Sequence, residues 1–216
     1  MKATTRAEFT HHHLNSAKLF IDSANDIEQS HSPDIITDKL KGDYISYNSS
    51  AVIASIAAFE ANINEKFTDF SMHYSPDRID LKDTHIAKYA LDLTVPNGDI
   101  FSKIKNQPVP ALTKYKMLAI LRNGDDFVND PSDIVFILRM RNRLIHFTPR
   151  WLDTKRPKKN LEKTYNGSFR NNFSLSPYYC GDIMFFPYKC LSTECSKWCF
   201  QVINDFIKKY NSLVLT

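Results

Sequence analysis

The sequence predicts an all-α protein, a single bundle of helices with a long, partly irregular insertion before the last helix. Apolar residues recur every three or four positions in segments along most of the chain, which is the spacing of one helix face. The composition of the 216 residues, 43% hydrophobic and 24% charged with only 5 glycines, is that of a globular protein. This length suits one domain with a substantial core, so we assign residues 1–216 to a single domain.

The first two predicted helices cover residues 6–29 and 43–70, and the second is the longest pattern in the chain. The first helix has one apolar face, made of Leu14, Ala17, Ile21, Ala24 and Ile27. The second has an apolar stripe and, beside it, a stripe of alanines that would let a neighbouring helix approach closely. We therefore expect the second helix to be the central one. Its two stripes are Val52, Ile56, Phe59, Ile63, Phe67 and Phe70, and Ala51, Ala54, Ala58 and Ala61.

Shorter helices are predicted at residues 83–93 and 110–122, and a further one begins near Asp130. Asp130 is a suitable N-cap, Pro131 suits the first turn, and Asp133 favours the positive end of the helix dipole. Pro149 ends this helix, because a proline disfavours helical geometry at the residue before it. Its apolar residues, which we expect to anchor it in the core, are Ile134, Ile137, Leu138, Leu144 and Ile145.

The last helix is predicted at residues 193–211, where Trp198, Val202, Phe206 and Tyr210 recur at helical spacing. The insertion, residues 148–192, separates it from the preceding helix and contains four prolines. Loops of this length usually have a function or some structure of their own. The stretch "DIMFF" within the insertion is strand-like.

Histidine and cysteine spacings are compatible with metal binding but favour other roles. Residues 11–13 are three consecutive histidines, which we interpret as an exposed helix face rather than a metal site. Cys195 and Cys199 are four residues apart on the last helix, as two zinc ligands would be. They share an apolar stripe with Val202 and Phe206, which favours buried or half-buried free thiols. We predict no metal and no cofactor.

Positive charge is concentrated in one segment. Residues 139–170 contain ten Lys or Arg and two Asp or Glu, a balance of +8, so the rest of the chain carries −4 of the total of +4. Such asymmetry indicates either an anionic partner, with nucleic acid the first candidate, or a solvated basic surface. The N-terminal residues have no apolar run typical of a secretory signal, and no segment has the length of a membrane span. We expect a cytoplasmic protein with no membrane partner.

The motif that best fits a binding or catalytic site is "RNRLIH", residues 141–146, near the predicted end of its helix. The sequence has no nucleotide-binding glycine loop, no nucleophile elbow and no zinc-protease motif. One helix face carries Arg139, Asn142, Arg143 and His146. Arg141 lies away from that face, on the apolar side, where it needs an acidic partner or a phosphate.

Arg141, Asn142 and His146 form an Arg-Asn-x-x-x-His pattern that resembles the signature of HEPN domains, which are small helical bundles. The alanine-rich helix "SSAVIASIAAFEANINEKF" and the terminal "ECSKWCFQVINDFIKKY" are also similar to helices of that family. The resemblance covers most of the chain outside the insertion, and it implies a HEPN-like bundle. It further implies metal-independent RNA cleavage, as in toxins and antiphage defence proteins, by a site formed between two protomers.

In this interpretation, His146 would exchange protons during attack of a ribose 2′-hydroxyl on the adjacent phosphate. Arg141 would bind the phosphoryl oxygens, and Asn142 would orient the histidine or the substrate. RNA, a second copy of the chain and an antitoxin or regulatory protein are the implied partners. The expected RNA-binding residues are Arg139, Arg143, Arg150, Lys155, Arg156, Lys158 and Lys159.

Glu60 and Asn64 fall on what we expect to be the packed surface of the second helix. They are candidates for site-supporting residues, or simply partners of a buried arginine such as Arg141. Two alternatives to an active nuclease also remain. The cations complement the helix dipole without binding a ligand, or the chain is a catalytically silent HEPN-like module that binds RNA, a nucleotide or a protein.

Overall fold

The structure is a computed structural model of the chain. It describes residues 8–73, 111–121, 132–146, 172–179 and 185–214. These ranges contain helices and no β-strand, so the all-α prediction is confirmed for the part of the chain that is described. The predicted helix at residues 83–93 lies outside these ranges. The long helices are α1 (Thr10–Ser30), α2 (Asp38–His73), α3 (Ala111–Leu121), α4 (Ser132–Ile145) and α5 (Thr193–Val214).

Helix α2 is the central helix, as predicted, because it packs against α1, α3, α4 and α5. Its apolar stripe is fully buried at all of the positions whose side chains are described, and three of the four alanines are buried beside it. Ala61 is half-buried. The buried residues of these two stripes are Ala51, Val52, Ala54, Ile56, Ala58, Phe59, Ile63 and Phe67.

Helix α1 lies along α2 with the predicted apolar face inward. Ala17, Ile21, Ala24 and Ile27 are buried, and Leu14 is half-buried against the core. Small residues at two of these positions allow the two helices to approach closely.

Among the described residues, no helix is long and apolar enough to cross a membrane.

Helix α4 is held in the core by a face slightly different from the one predicted. Ile134 and Ile137 are buried as expected, but Met140 is also buried, whereas Ile145 is 51% exposed. The expectation that Ile145 helps to anchor the helix is therefore wrong. Ile145 is the last residue of α4, and apolar spacing alone does not ensure burial at a helix end. Asp130, Pro131 and Pro149 lie outside the described residues.

The carboxyl-terminal part of the insertion packs onto the first two helices. The Tyr178 hydroxyl lies 3.0 Å from the carbonyl oxygens of both Ile27 and His31, at the end of α1. The Tyr179 hydroxyl donates to the carbonyl oxygen of Lys41 on α2, at 3.4 Å. This part of the insertion therefore belongs to the folded bundle. Of the strand-like "DIMFF", only the two phenylalanines are described; Phe186 has an extended backbone, with φ −108° and ψ 133°, but neither phenylalanine lies in a β-strand.

A buried polar contact ties α1, α2 and α5 together at Tyr44. The hydroxyl of Tyr44 donates to Glu28 Oε2 at 2.8 Å and accepts the backbone N–H of Thr193 at 3.0 Å. Burial is the main cause that raises the pKa of Tyr44, and it keeps the hydroxyl protonated as a donor. Because both its donor and its acceptor functions are used, this hydroxyl links the consecutive helices α1 and α2 to the start of α5, 149 residues later in the chain.

The expectation of buried free thiols is confirmed for Cys190, Cys195 and Cys199. A hydrogen bond with Cys195, together with burial, raises the pKa of the Cys190 thiol. Burial is the first cause that raises the pKa of Cys195. Such thiols are protonated and behave as small apolar core residues.

Candidate site at the carboxyl end of helix α4

The predicted polar face of α4 is exposed at its carboxyl end. Arg139, Asn142, Arg143 and His146 are all exposed. His146 follows the last residue of α4, and its backbone N–H donates to the carbonyl oxygen of Asn142 at 2.9 Å. The imidazole is therefore attached to the last turn of a helix whose other face is anchored by buried aliphatic residues. Carbonyl groups at this end give the site partial negative charge, which attracts cations and protonated imidazole.

Arg141 points away from this exposed face, towards α2. Its guanidinium Nη2 forms an ion pair with Glu60 Oε1 on α2. Its Nη1 donates to Asn142 Oδ1 at 2.9 Å. The Arg141 side chain is 21% exposed and that of Glu60 is 37% exposed, so the pair lies at the edge of the core. Two acceptors on different helices thus hold the guanidinium in one orientation while leaving N–H donors for a further ligand.

Asn142 contacts the arginine of the motif. The sequence predicted that its amide orients either the histidine or a substrate. In the structure its Oδ1 accepts from Arg141, and its backbone carbonyl accepts from His146. Asn142 therefore links the two other motif residues, one through its side chain and one through its main chain.

Glu60 and Asn64 occupy different surroundings, although they are one turn apart on α2. Glu60 is the acidic partner of Arg141, which was one of the two roles considered for it. Asn64 is exposed, so the expectation that it lies within the packed surface of α2 is wrong. Its Oδ1 accepts from Lys114 Nζ on α3, at 2.8 Å, and it does not contact Arg141 among the hydrogen bonds of the described residues.

Lys114 is a cation of this region that the sequence did not single out. Its Nζ lies 5.6 Å from the ring centroid of Phe67, within cation–π distance. Burial lowers the pKa of Lys114. No local pattern distinguishes Lys114 from other helical lysines, because its surroundings come from α2, about 50 residues earlier in the chain.

The charges of the site are only partly neutralised within the described residues. Glu60 offsets Arg141, whereas the partner of Lys114 is a neutral amide. The exposed cations Arg139 and Arg143 lie on the same turns of α4 as the motif. The surface therefore has the composition expected of an anion-binding site.

The five remaining predicted RNA-binding residues lie outside the described residues, so their placement stays a prediction. The metal interpretation of the cysteines and of residues 11–13 finds no structural support. Within the described ranges, no group of three or more His, Cys, Asp or Glu side chains is arranged to hold a metal ion. The five predicted RNA-binding residues outside the described ranges are Arg150, Lys155, Arg156, Lys158 and Lys159.

A comparison of the chain with protein-family models finds no match, and neither the curated proteins nor the solved structures contain a match.

Proposed function

We propose that this chain is a HEPN-like helical bundle that acts as a metal-independent endoribonuclease. The observation that carries the proposal is the arrangement at the end of α4. A guanidinium held by Glu60 and Asn142 lies five residues before an exposed histidine at the helix terminus. The resemblance of the motif to that of HEPN domains suggests the cellular role of a toxin or antiphage effector, with an antitoxin or regulatory protein as partner.

The chemistry needs an activated ribose 2′-hydroxyl, a neutralised phosphate and a protonated leaving group. The 2′-oxygen attacks phosphorus and the bond from phosphorus to the 5′-oxygen breaks, which leaves a 2′,3′-cyclic phosphate and a 5′-hydroxyl. His146 exchanges the proton, and Arg141 stabilises the charge on the phosphoryl oxygens. DNA lacks the attacking hydroxyl and is spared by this mechanism.

A homodimer with a shared site accounts for the different directions of the two side chains. Positions 141 and 146 are about 140° apart around an α-helix. Arg141 is turned towards α2, whereas His146 is exposed. A two-fold axis beside the end of α4 would bring the histidine of one protomer towards the arginine of its partner and double the number of acid–base groups.

A second candidate function is a catalytically silent HEPN-like module that binds RNA, a nucleotide or a protein. The Arg141–Glu60 ion pair favours this alternative, because the Glu60 carboxylate already binds Nη2 of the guanidinium. A phosphate would have to share or displace that contact. Binding without cleavage would then be the outcome.

Cleavage of labelled RNA by the purified chain in excess EDTA separates the two functions. We expect products with a 2′,3′-cyclic phosphate, and we expect His146→Ala to remove cleavage while leaving the melting temperature nearly unchanged, because His146 is exposed. His11→Ala, which changes an exposed histidine on α1, is the matched control and should retain activity.

Wild-type rates of cleavage by His146→Ala would contradict the assignment, and a strict need for a divalent ion would indicate a different mechanism. Arg141→Ala is the weaker test, because it also breaks the ion pair with Glu60. Its loss of activity would have to be separated from a loss of stability.

A further inference from the structure

Two cations on different helices contact side chains on consecutive turns of one face of α2. Glu60 and Asn64 are four residues apart, so their side chains project from neighbouring turns, about 6 Å apart along the helix axis. Arg141 of α4 binds the first and Lys114 of α3 binds the second. The acceptors of the two cations are thus about one helical turn apart along α2, a separation of the same order as that between successive phosphates of one RNA strand.

The partners of the two cations differ in a way that matters for anion binding. The charge of Arg141 is offset by the Glu60 carboxylate. Lys114 is bound to a neutral amide oxygen, and within the described part of the chain no carboxylate pairs with it, so no described residue offsets its positive charge. The Asn64 contact uses one of the three N–H donors of the ammonium. The other donors remain for a ligand.

The surroundings of Lys114 also favour an anion. Its ammonium lies over the ring of the buried Phe67, which removes water from one side and limits the directions that the side chain can take. Burial lowers the pKa of Lys114, so the protonated form gains more from an approaching phosphate than that of a fully solvated lysine. A half-buried, oriented cation that has no acidic partner among the described residues is suited to bind a phosphate.

We propose that Lys114 binds a backbone phosphate of the RNA next to the phosphate bound by Arg141. Asn64 and Phe67 position the ammonium, so Lys114 contributes to substrate binding and to the register of the strand, while proton transfer stays with His146. This inference rests on the proposed RNA substrate, but it does not require that the chain cleaves RNA. Binding and cleavage are therefore tested separately.

Binding is measured with labelled oligouridylate and the non-cleaving His146→Ala protein, with and without Lys114→Met. Methionine keeps the length and the apolar stem of lysine and removes the charge. We expect the Kd to rise by about fivefold, since one charge-assisted phosphate contact is lost. The slope of log K against log salt should become shallower by about 0.7, the value for one phosphate contact with a single strand.

Three comparisons make the result specific. Lys39→Met removes the same charge from an exposed site near the start of α2, about 30 Å from Glu60 along the helix, and should not change the Kd. Lys114→Arg keeps the charge and should retain most of the affinity. Asn64→Asp places a carboxylate beside Lys114 and should weaken RNA binding while leaving the fold at least as stable.

Melting temperatures distinguish binding from a structural role. We expect Lys114→Met to melt no lower than the wild type, because removing a partly desolvated ammonium relieves its desolvation cost. Unchanged Kd and salt slope in Lys114→Met would overturn the inference, as would equal losses in Lys114→Met and Lys39→Met.

The inference and the nuclease proposal fail in different ways. If Lys114→Met loses affinity and the wild type never cleaves RNA, the phosphate-binding role stands and the nuclease proposal fails. If the wild type cleaves RNA and Lys114→Met has an unchanged KM and kcat, the nuclease proposal stands and the role of Lys114 is refuted. With both correct, KM rises in Lys114→Met and kcat stays close to the wild-type value.

Discussion

Arg141 shows how a single side chain can belong both to the core edge and to a site. It forms an ion pair with Glu60 and donates to Asn142. Fully exposed pairs contribute about 0–1 kcal/mol, whereas breaking a buried pair costs about 3–5 kcal/mol. With side chains 21% and 37% exposed, this pair falls between the two cases. The carboxylate therefore stabilises the fold and competes with a phosphate for the same guanidinium.

This competition predicts opposite effects of Glu60→Gln on stability and on RNA binding. We expect the free energy of unfolding to fall by about 1–2 kcal/mol, since Arg141 keeps a hydrogen-bond acceptor but loses an opposite charge. The affinity for RNA should rise, because the guanidinium is no longer neutralised. Denaturant unfolding and RNA titration, both in the His146→Ala background, measure the two effects.

Glu194→Gln is the control for Glu60→Gln. It neutralises a carboxylate that pairs with Lys197 at 2.9 Å, with both side chains about half exposed. We expect its stability to change by less than about 0.5 kcal/mol and its RNA affinity to stay constant. If Glu60→Gln behaves like Glu194→Gln in both assays, the Arg141–Glu60 pair has no energetic role.

At the scale of elements, one short segment of α2 organises three other helices. Glu60 contacts α4, Asn64 contacts α3, and Glu65 contacts the start of α1. Helix α1 has no N-cap side chain of its own. Instead, Glu65 Oε1 accepts the backbone N–H groups of Phe9 at 2.7 Å and Thr10 at 3.1 Å, and Oε2 accepts the Thr10 hydroxyl at 2.6 Å. A carboxylate from a neighbouring helix thus caps α1.

This capping predicts that Glu65→Ala destabilises the protein by about 1–2 kcal/mol. The substitution leaves N–H groups of the first turn without their carboxylate acceptor and removes a favourable charge at the positive end of the helix dipole. Asp22→Asn is the control, since it removes a carboxylate from an exposed position in the middle of α1. Equal unfolding midpoints for Glu65→Ala and the wild type would show that the cap contributes nothing.

For the whole molecule, the proposed shared site predicts that activity depends on self-association. Cations around two adjoining α4 termini repel one another, so a dimer must be held by apolar surface elsewhere, and RNA in the cleft relieves the repulsion. We expect the specific activity per protomer to fall on dilution through the dissociation range. Phosphate or RNA should shift that range to lower protein concentration by linkage.

Sedimentation velocity over the concentrations used for cleavage measures the association directly. A chain that is monomeric wherever it cuts RNA would refute the shared site. The exposed Ile145 in the last turn of α4 gives the assay a useful variant. If the two-fold axis passes beside this helix end, Ile145→Lys should weaken association and cleavage together.

Helix positions and buried faces follow from local spacing, which is why most of the fold was predictable. The faces of α1 and α2 are buried as expected, because the spacing of apolar residues directly defines one side of a helix. The burial of Met140 and the exposure of Ile145 were not predicted, since Met140 lies on the boundary of the apolar stripe of α4 and Ile145 is the last residue of the helix. There, the neighbouring helices decide which residue is covered.

The contacts of the candidate site depended on the tertiary structure. Sequence placed Arg141 on the apolar side of α4 and showed that it needed a partner, but two partners were compatible with that position. Glu60, which lies 81 residues earlier, became that partner because α2 and α4 pack against each other. Lys114 contacts Asn64 and Phe67 because α2 and α3 also pack against each other. Local periodicity specifies which face a helix buries, whereas hydrogen bonds between helices require distances and angles that arise only when distant segments pack together.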